Sequence, residues 1–170
     1  MVGAKLRSFL IRIIKNKPTP TGFRVWCLCE SGNVARGYYH HMIVNDGKEK
    51  EAPGMDFTKA LGARVILLLA EHMRKGDTIF VDRFFSSIPL ACHLLQHRGI
   101  YMVGTIRKGA KGFPSEEFKD IKKNAANPRG TYKVLQTQGG KVQVMVWRDS
   151  GVVTAIATGR KAYGGKVMVL

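Results

Sequence analysis

The sequence predicts an α/β domain with strands running in mixed directions. Three features lead there. An alternating apolar segment folds back on itself over residues 22–44. Two short, continuous apolar runs, Thr78–Val81 and Ile100–Ile106, flank a helical pattern. Three further alternating segments lie between glycine-bearing turns from residue 131 to residue 158. Strands alternating with helices, followed by a run of strands, give a mixed sheet with flanking helices and a C-terminal antiparallel meander.

Taken in order, residues 5–14 (KLRSFLIRII) mix basic and apolar groups with no acid. Arg7 and Arg12 interrupt the apolar stretch and no small-residue cleavage site follows, so it does not read as a secretory signal. Pro18 and Pro20 break any helix there. In residues 22–29 (GFRVWCLC), Phe23, Val25, Cys27 and Cys29 alternate with Arg24, Trp26 and Leu28, the period of a strand. Glu30–Asn33 has turn chemistry, and residues 34–44 (VARGYYHHMIV) read as the second strand of a hairpin. Residues 45–54 are a polar loop.

Residues 59–74 place Leu61, Val65, Leu68, Leu69 and His72 near one stripe of an amphipathic helix that Lys75 and Gly76 stop. Thr78–Val81 (TIFV) has the continuous apolar pattern of a strand covered on both faces. Ser86 or Ser87 caps the next helix, Pro89 fits its first turn, and Gly99 ends it. Ile100–Ile106 is another buried strand. Lys108–Gly112 (KGAKG) is a basic loop, residues 114–123 a short helix, and residues 131–137, 141–148 and 152–158 the meander. The last segment, 159–170, is Gly-rich and basic. No repeat, low-complexity tract or Pro-rich linker divides the chain, so residues 1–170 read as one domain.

Composition narrows the function. Hydrophobic residues make up 45% of the 170, enough for a core, which excludes wholesale disorder. No apolar run approaches the roughly 18–20 residues of a membrane span. Three cysteines, Cys27, Cys29 and Cys92, are too few and too odd for a disulfide-stapled domain. The formal net charge is +16. Residues 1–29 carry six basic groups and no acid, residues 30–97 are neutral, and residues 98–133 carry nine basic and three acidic groups. Basic flanks around a neutral middle suit a polyanion, with nucleic acid ahead of an acidic membrane surface. Solvation of exposed faces accounts for the same charge.

Asp82 is the leading candidate for chemistry. It stands at the carboxyl end of a buried strand, where α/β folds place functional groups. The competing reading is an aspartate that starts the following turn. His93 and His97 are four apart on a helix, but the intervening residues do not make HExxH and no third ligand is evident. Cys27 and Cys29 have strand spacing that puts both thiols on one face, with no second pair to complete a zinc site, so they read as core cysteines. His40 and His41, being adjacent on a strand, point to opposite faces. KGAKG lacks the Walker spacing and is at most a phosphate-touching loop. Two-metal phosphoryl chemistry needs two or three converging carboxylates, and Asp82 is one.

Residues 78–91, TIFVDRFFSSIPLA, resemble the piggyBac transposase and piggyBac-derived protein family: an apolar strand, an Asp, aromatic-type positions, then Ser-Ile-Pro-Leu-Ala. LLQHRGIYMVGTIR (residues 94–107) resembles the family's next helix and strand, and KGAKGFP its basic loop. Asn16-Lys17-Pro18 with GFRVW upstream, Leu61-Gly62, and Val146-Trp147-Arg148-Asp149 with residues 153–158 downstream extend the likeness over nearly the whole chain.

The resemblance implies a partial RNase H-like core of the DDE transposase type, with residues 16–107 as the core portion and 108–170 as the basic loop, short helix and meander. It implies descent from a cut-and-paste DNA transposase acting at TTAA sites with three aspartates and two divalent metals. Asp82 matches the second aspartate. The first and third fall outside these residues, so the chain reads as a truncated catalytic domain, inactive alone. Asp46, Asp56 and Asp149 do not match those positions. Arg83 replaces a usual Asn and would compete with a metal at Asp82. Mg2+ would bind only if residues outside the chain completed the site, and no cofactor is expected to be held stably without them. Non-specific DNA binding by Arg107, Lys108, Lys111, Lys122 and Lys123, action in the nucleus, and pairing with a full-length transposase or a second copy follow from the same resemblance. Two alternatives stay open: a domesticated protein-interaction module, and a non-functional relic whose hairpin exposes unpaired strand edges.

Overall fold

The computed structural model describes residues 2–3, 8, 10–15, 18–32, 34–45, 60–121, 127–137, 141–159 and 167–169. The chain forms two compact units, Met1–His72 and Met73–Leu170.

The first unit holds two small antiparallel sheets and a helix. Strands β1 (Val2–Gly3), β2 (Ile11–Ile13) and β3 (Thr21–Phe23) form one sheet in the order β1-β3-β2. The hairpin forms as the alternation predicts, from β4 (Val25–Cys29) and β5 (Tyr39–Val44). Its strands are shorter than the pattern suggested. The chain breaks at Arg24, where Phe23 ends the first sheet and Val25 opens the second. Residues before Tyr39 form the loop: Glu30 N–H bonds to the Tyr38 carbonyl at 2.8 Å, closing it. Leu28 pairs with His41 and Cys29 with Tyr39, so a bulge leaves His40 without an opposite residue. Helix α1 (Leu61–Leu69) packs on β4 and β5, burying Ala63, Val65, Ile66 and Leu69. A 3-10 turn, Ala70–His72, continues it. The helix is thus shorter than the 59–74 stripe; Lys59 lies outside the described residues.

The cysteine expectation is corrected here. Cys27 and Cys29 are both exposed, because α1 covers the opposite face of the hairpin, where Trp26, Leu28, His41 and Ile43 are half-buried.

The second unit is built on a six-stranded sheet with order β11-β8-β9-β10-β7-β6. Here β6 is Thr78–Val81, β7 Tyr101–Thr105, β8 Tyr132–Gln136, β9 Val142–Arg148, β10 Val152–Thr158 and β11 Val167–Val169. The meander β8-β9-β10 is antiparallel, while β6–β7 and β11–β8 are parallel, so the directions are mixed as expected. The β6–β7 crossover is helix α2 (Ile88–His93), extended by a π-helical turn, Leu94–Arg98, that Gly99 ends in the left-handed region at φ 64°. Leu90, Ala91 and Leu94 are fully buried, and α2 packs on β9 and β10. The face they meet carries Ile79, Met102, Leu135, Val142, Val144, Val146, Ile156 and Thr158, all buried.

Two further expectations are corrected. Strand β6 is not covered on both faces: Phe80 is 65% exposed, and among the described residues β6 pairs only with β7. A continuous apolar run cannot distinguish an edge strand from a central one. Of the helix expected over 114–123, the described residues 114–121 hold a single 3-10 turn, Glu116–Phe118, anchored by buried Phe113, Phe118 and Ile121, while residues 122 and 123 lie outside the described residues.

Candidate functional site

The turn after β6 is built by its own polar atoms. The Phe84 N–H donates to Asp82 Oδ1 at 2.7 Å, and the Phe85 and Ser86 N–H groups donate to the Asp82 carbonyl at 3.1 and 3.3 Å. Asp82 therefore does what a turn-starting aspartate does, and it also lies exposed at the carboxyl end of its strand. Of the two sequence readings of this residue, the turn-starting one is what its hydrogen bonds show. One carboxylate oxygen is spent on the turn; the other has no hydrogen-bond partner among the described residues. Arg83 is exposed and makes no ion pair with it.

Three neighbouring features fix where this carboxylate sits. Ser86 is buried and its hydroxyl donates to the Thr105 carbonyl at the end of β7. Ser87 caps α2 by accepting from the Leu90 N–H at 3.3 Å, with Pro89 in the first turn. Both serines thus have a role, where the sequence left the cap open between them. Gly104 sits opposite Val81 in the parallel ladder. A Cβ there would land on the Val81 carbonyl oxygen, and lie 3.0 Å from its carbonyl carbon. Close approach of β7 to the last residue before Asp82 requires a glycine. Sequence reasoning missed this; a glycine inside an otherwise apolar strand was the available signal.

The basic loop follows β7 directly. Arg107, Lys108 and Lys111 are exposed. The Ala110 N–H bonds to the Arg107 carbonyl at 2.9 Å, and the Ser115 hydroxyl to the Lys108 carbonyl at 2.8 Å. Gly112, at φ 80°, lies where a Cβ would come within 3.3 Å of Ile88, the first residue of α2. The loop and the Asp82 turn therefore flank the same first turn of α2. Lys122 and Lys123 lie outside the described residues, as do Asp46 and Asp56. Lys133 is not free for a ligand: it bonds the Glu117 carbonyl at 2.5 Å and pairs with Asp120 at 3.2 Å.

Among the described residues no three His, Cys, Asp or Glu side chains converge, and Asp149 sits in the β9–β10 turn with its N–H on the Gly151 carbonyl. The His93 and His97 rings lie with centroids 4.6 Å apart, tilted 32° to each other. Partial burial first, then His97 and Arg98, hold the His93 pKa below its ordinary value, and among the described residues no group of three His, Cys, Asp or Glu side chains includes the pair. His40 pairs with Glu30 at 3.0 Å while His41 stacks on His72 at 3.7 Å, on opposite faces as their adjacency requires. Among the described residues no helix is long and apolar enough to cross a membrane.

Residues 1–165 match the family model described as Transposase IS4. Among solved structures, the chain is similar to the piggyBac transposase in a cryo-EM synaptic complex with hairpin DNA, at TM-score 0.76 and 24% identity over 94% of this chain. The chain spans about a third (32%) of that transposase's length. No curated protein matches the sequence. With the family model covering nearly every residue, the chain belongs to the IS4 transposase family, as a transposase-derived domain with the RNase H-like fold of the piggyBac enzyme.

Proposed function

We propose that this domain engages DNA through its phosphate backbone, without sequence preference, and that these 170 residues alone neither cut nor join it. The observation that carries the reading is the shared support of the Asp82 turn and the basic loop on the first turn of α2. Arg107, Lys108 and Lys111 supply exposed cations there, and each phosphate they neutralise releases a counterion. Asp82 corresponds to the second aspartate of the piggyBac pattern. One carboxylate, half used by its own turn, does not hold the pair of ions that in-line phosphoryl transfer requires. Mg2+ and catalysis therefore belong to an assembly in which further carboxylates meet Asp82, in the nucleus and on a DNA partner. A full-length transposase or a second copy is the partner that would supply them.

The test is a salt titration of binding to a DNA duplex. A steep linear fall of log affinity with log salt supports phosphate engagement, and substituting Lys108 should reduce the slope by about one. No binding at about 50 mM salt would refute it.

A second reading, a protein-interaction module, draws on the sheet face away from α2. Tyr132 and Trp147 stand directly opposite each other there at 48% and 39% exposure. The same titration separates the two readings.

A further inference from the structure

The exposed face of the β4–β5 hairpin gathers soft sulfur ligands. Cys27 and Cys29 are two apart on β4, both exposed, and the residues beside them, Trp26 and Leu28, are turned the other way. Their thiols therefore project from one face, with Cα atoms about 6.6 Å apart. Met42 is the register partner of Cys27 and is 57% exposed. Directly opposed residues carry their Cβ atoms about 4.5–5.5 Å apart on the same face. Two thiols and a thioether thus form a triangle open to solvent. Both cysteines are free. Their side chains run parallel out of the pleat, which disfavours a disulfide between them. A three-coordinate ion with metal–sulfur bonds near 2.3 Å holds its sulfurs about 4 Å apart, so it spans the gap instead once the side chains lean together by roughly 2.6 Å.

We propose that Cys27, Cys29 and Met42 form a binding site for a thiophilic monovalent cation of the Cu(I) type. Thiolate and thioether ligands select Cu(I). Zinc wants four ligands in a closed tetrahedron, and among the described residues no third His, Cys, Asp or Glu joins the pair. Binding forms two thiolate–copper bonds and releases the two S–H protons to solvent. The copper stays in its +1 state, so no oxidant is needed. The site is independent of the DNA reading.

The experiment titrates the reduced 170-residue chain anaerobically with Cu(I) buffered by bicinchoninate. The wild-type chain should withdraw one equivalent from the dye and gain ultraviolet sulfur-to-copper absorption. Cys27→Ser and Cys29→Ser should each lose that equivalent, Met42→Leu should bind more weakly, and Cys92→Ser should match wild type. All four positions lie outside the buried core, so the variants keep the fold. Failure of the wild-type chain to withdraw copper overturns the site, as does full uptake by Cys27→Ser/Cys29→Ser. Unchanged affinity in Met42→Leu removes the thioether from it.

Discussion

Replacing Gly104 by alanine should cost far more than a single methyl group suggests. The added Cβ meets backbone, the Val81 carbonyl, rather than a side chain that can swing away. Its distance to the Val81 carbonyl carbon would be 3.0 Å, whereas ordinary contact begins near 3.4 Å. Strand β6 must therefore move outward by at least the difference, and farther to clear the oxygen. Overpacking of this kind costs roughly 1–3 kcal/mol. Weakening a ladder hydrogen bond beside it adds about 1 kcal/mol. Urea denaturation of the 170-residue chain should show a loss of about 2–4 kcal/mol. Gly109→Ala is the control, because nothing lies within 4 Å of its Cβ and its φ is not positive. That variant should stay within about 1 kcal/mol of wild type. Equal stabilities for the two variants would refute the close-approach argument and the placement of Asp82 that rests on it.

Other expectations follow from the same geometry. Ser87→Ala removes the α2 cap and should cost about 1 kcal/mol. Ser86→Ala leaves the Thr105 carbonyl without its buried partner and should cost roughly 1–3 kcal/mol, both read by thermal or urea melts. The N–H of Gly32, then His40, then the N–H of Ser31 hold the Glu30 pKa below the ordinary carboxylate value. Its contribution to stability is present above the unfolded value and is lost as pH falls through the lower folded one. An NMR titration should find Glu30 below the ordinary value and His40→Ala should raise it; a Glu30 that titrates normally contradicts the turn. For His93, depressed chiefly by burial, stability is likewise lost as pH falls, and His97→Ala should raise its titration midpoint in the same spectra.

Much of the second unit was legible because its signals are local. Glycine-bearing turns around residues 138–140 and 149–151 delimit the β8–β10 meander, and SSIP marks the start of α2. What escaped were long-range facts. Strands of two or three residues, such as β1–β3 and β11, carry too few positions for a period to show, and pairing across the chain defines them. The exposure of Phe80 depends on the sheet face away from α2 being uncovered there among the described residues, and that of Cys27 and Cys29 on which hairpin face α1 covers. The sequence singled out Asp82, Arg107, Lys108 and Lys111 as candidates, and the structure places all four at the surface, their role being the proposal above. The supports of the Asp82 turn were not legible, because Ser86–Thr105 and Gly104–Val81 join residues far apart in sequence.

The central proposal is that Asp82 performs no strand chemistry in these 170 residues alone. The direct test incubates the purified 170-residue chain with a terminal-repeat substrate flanked by TTAA, in Mg2+ or Mn2+, and resolves the strands on a denaturing gel. The prediction is salt-sensitive binding with intact strands, unchanged in Asp82→Ala. Specific nicking at the repeat end that disappears in Asp82→Ala would contradict it.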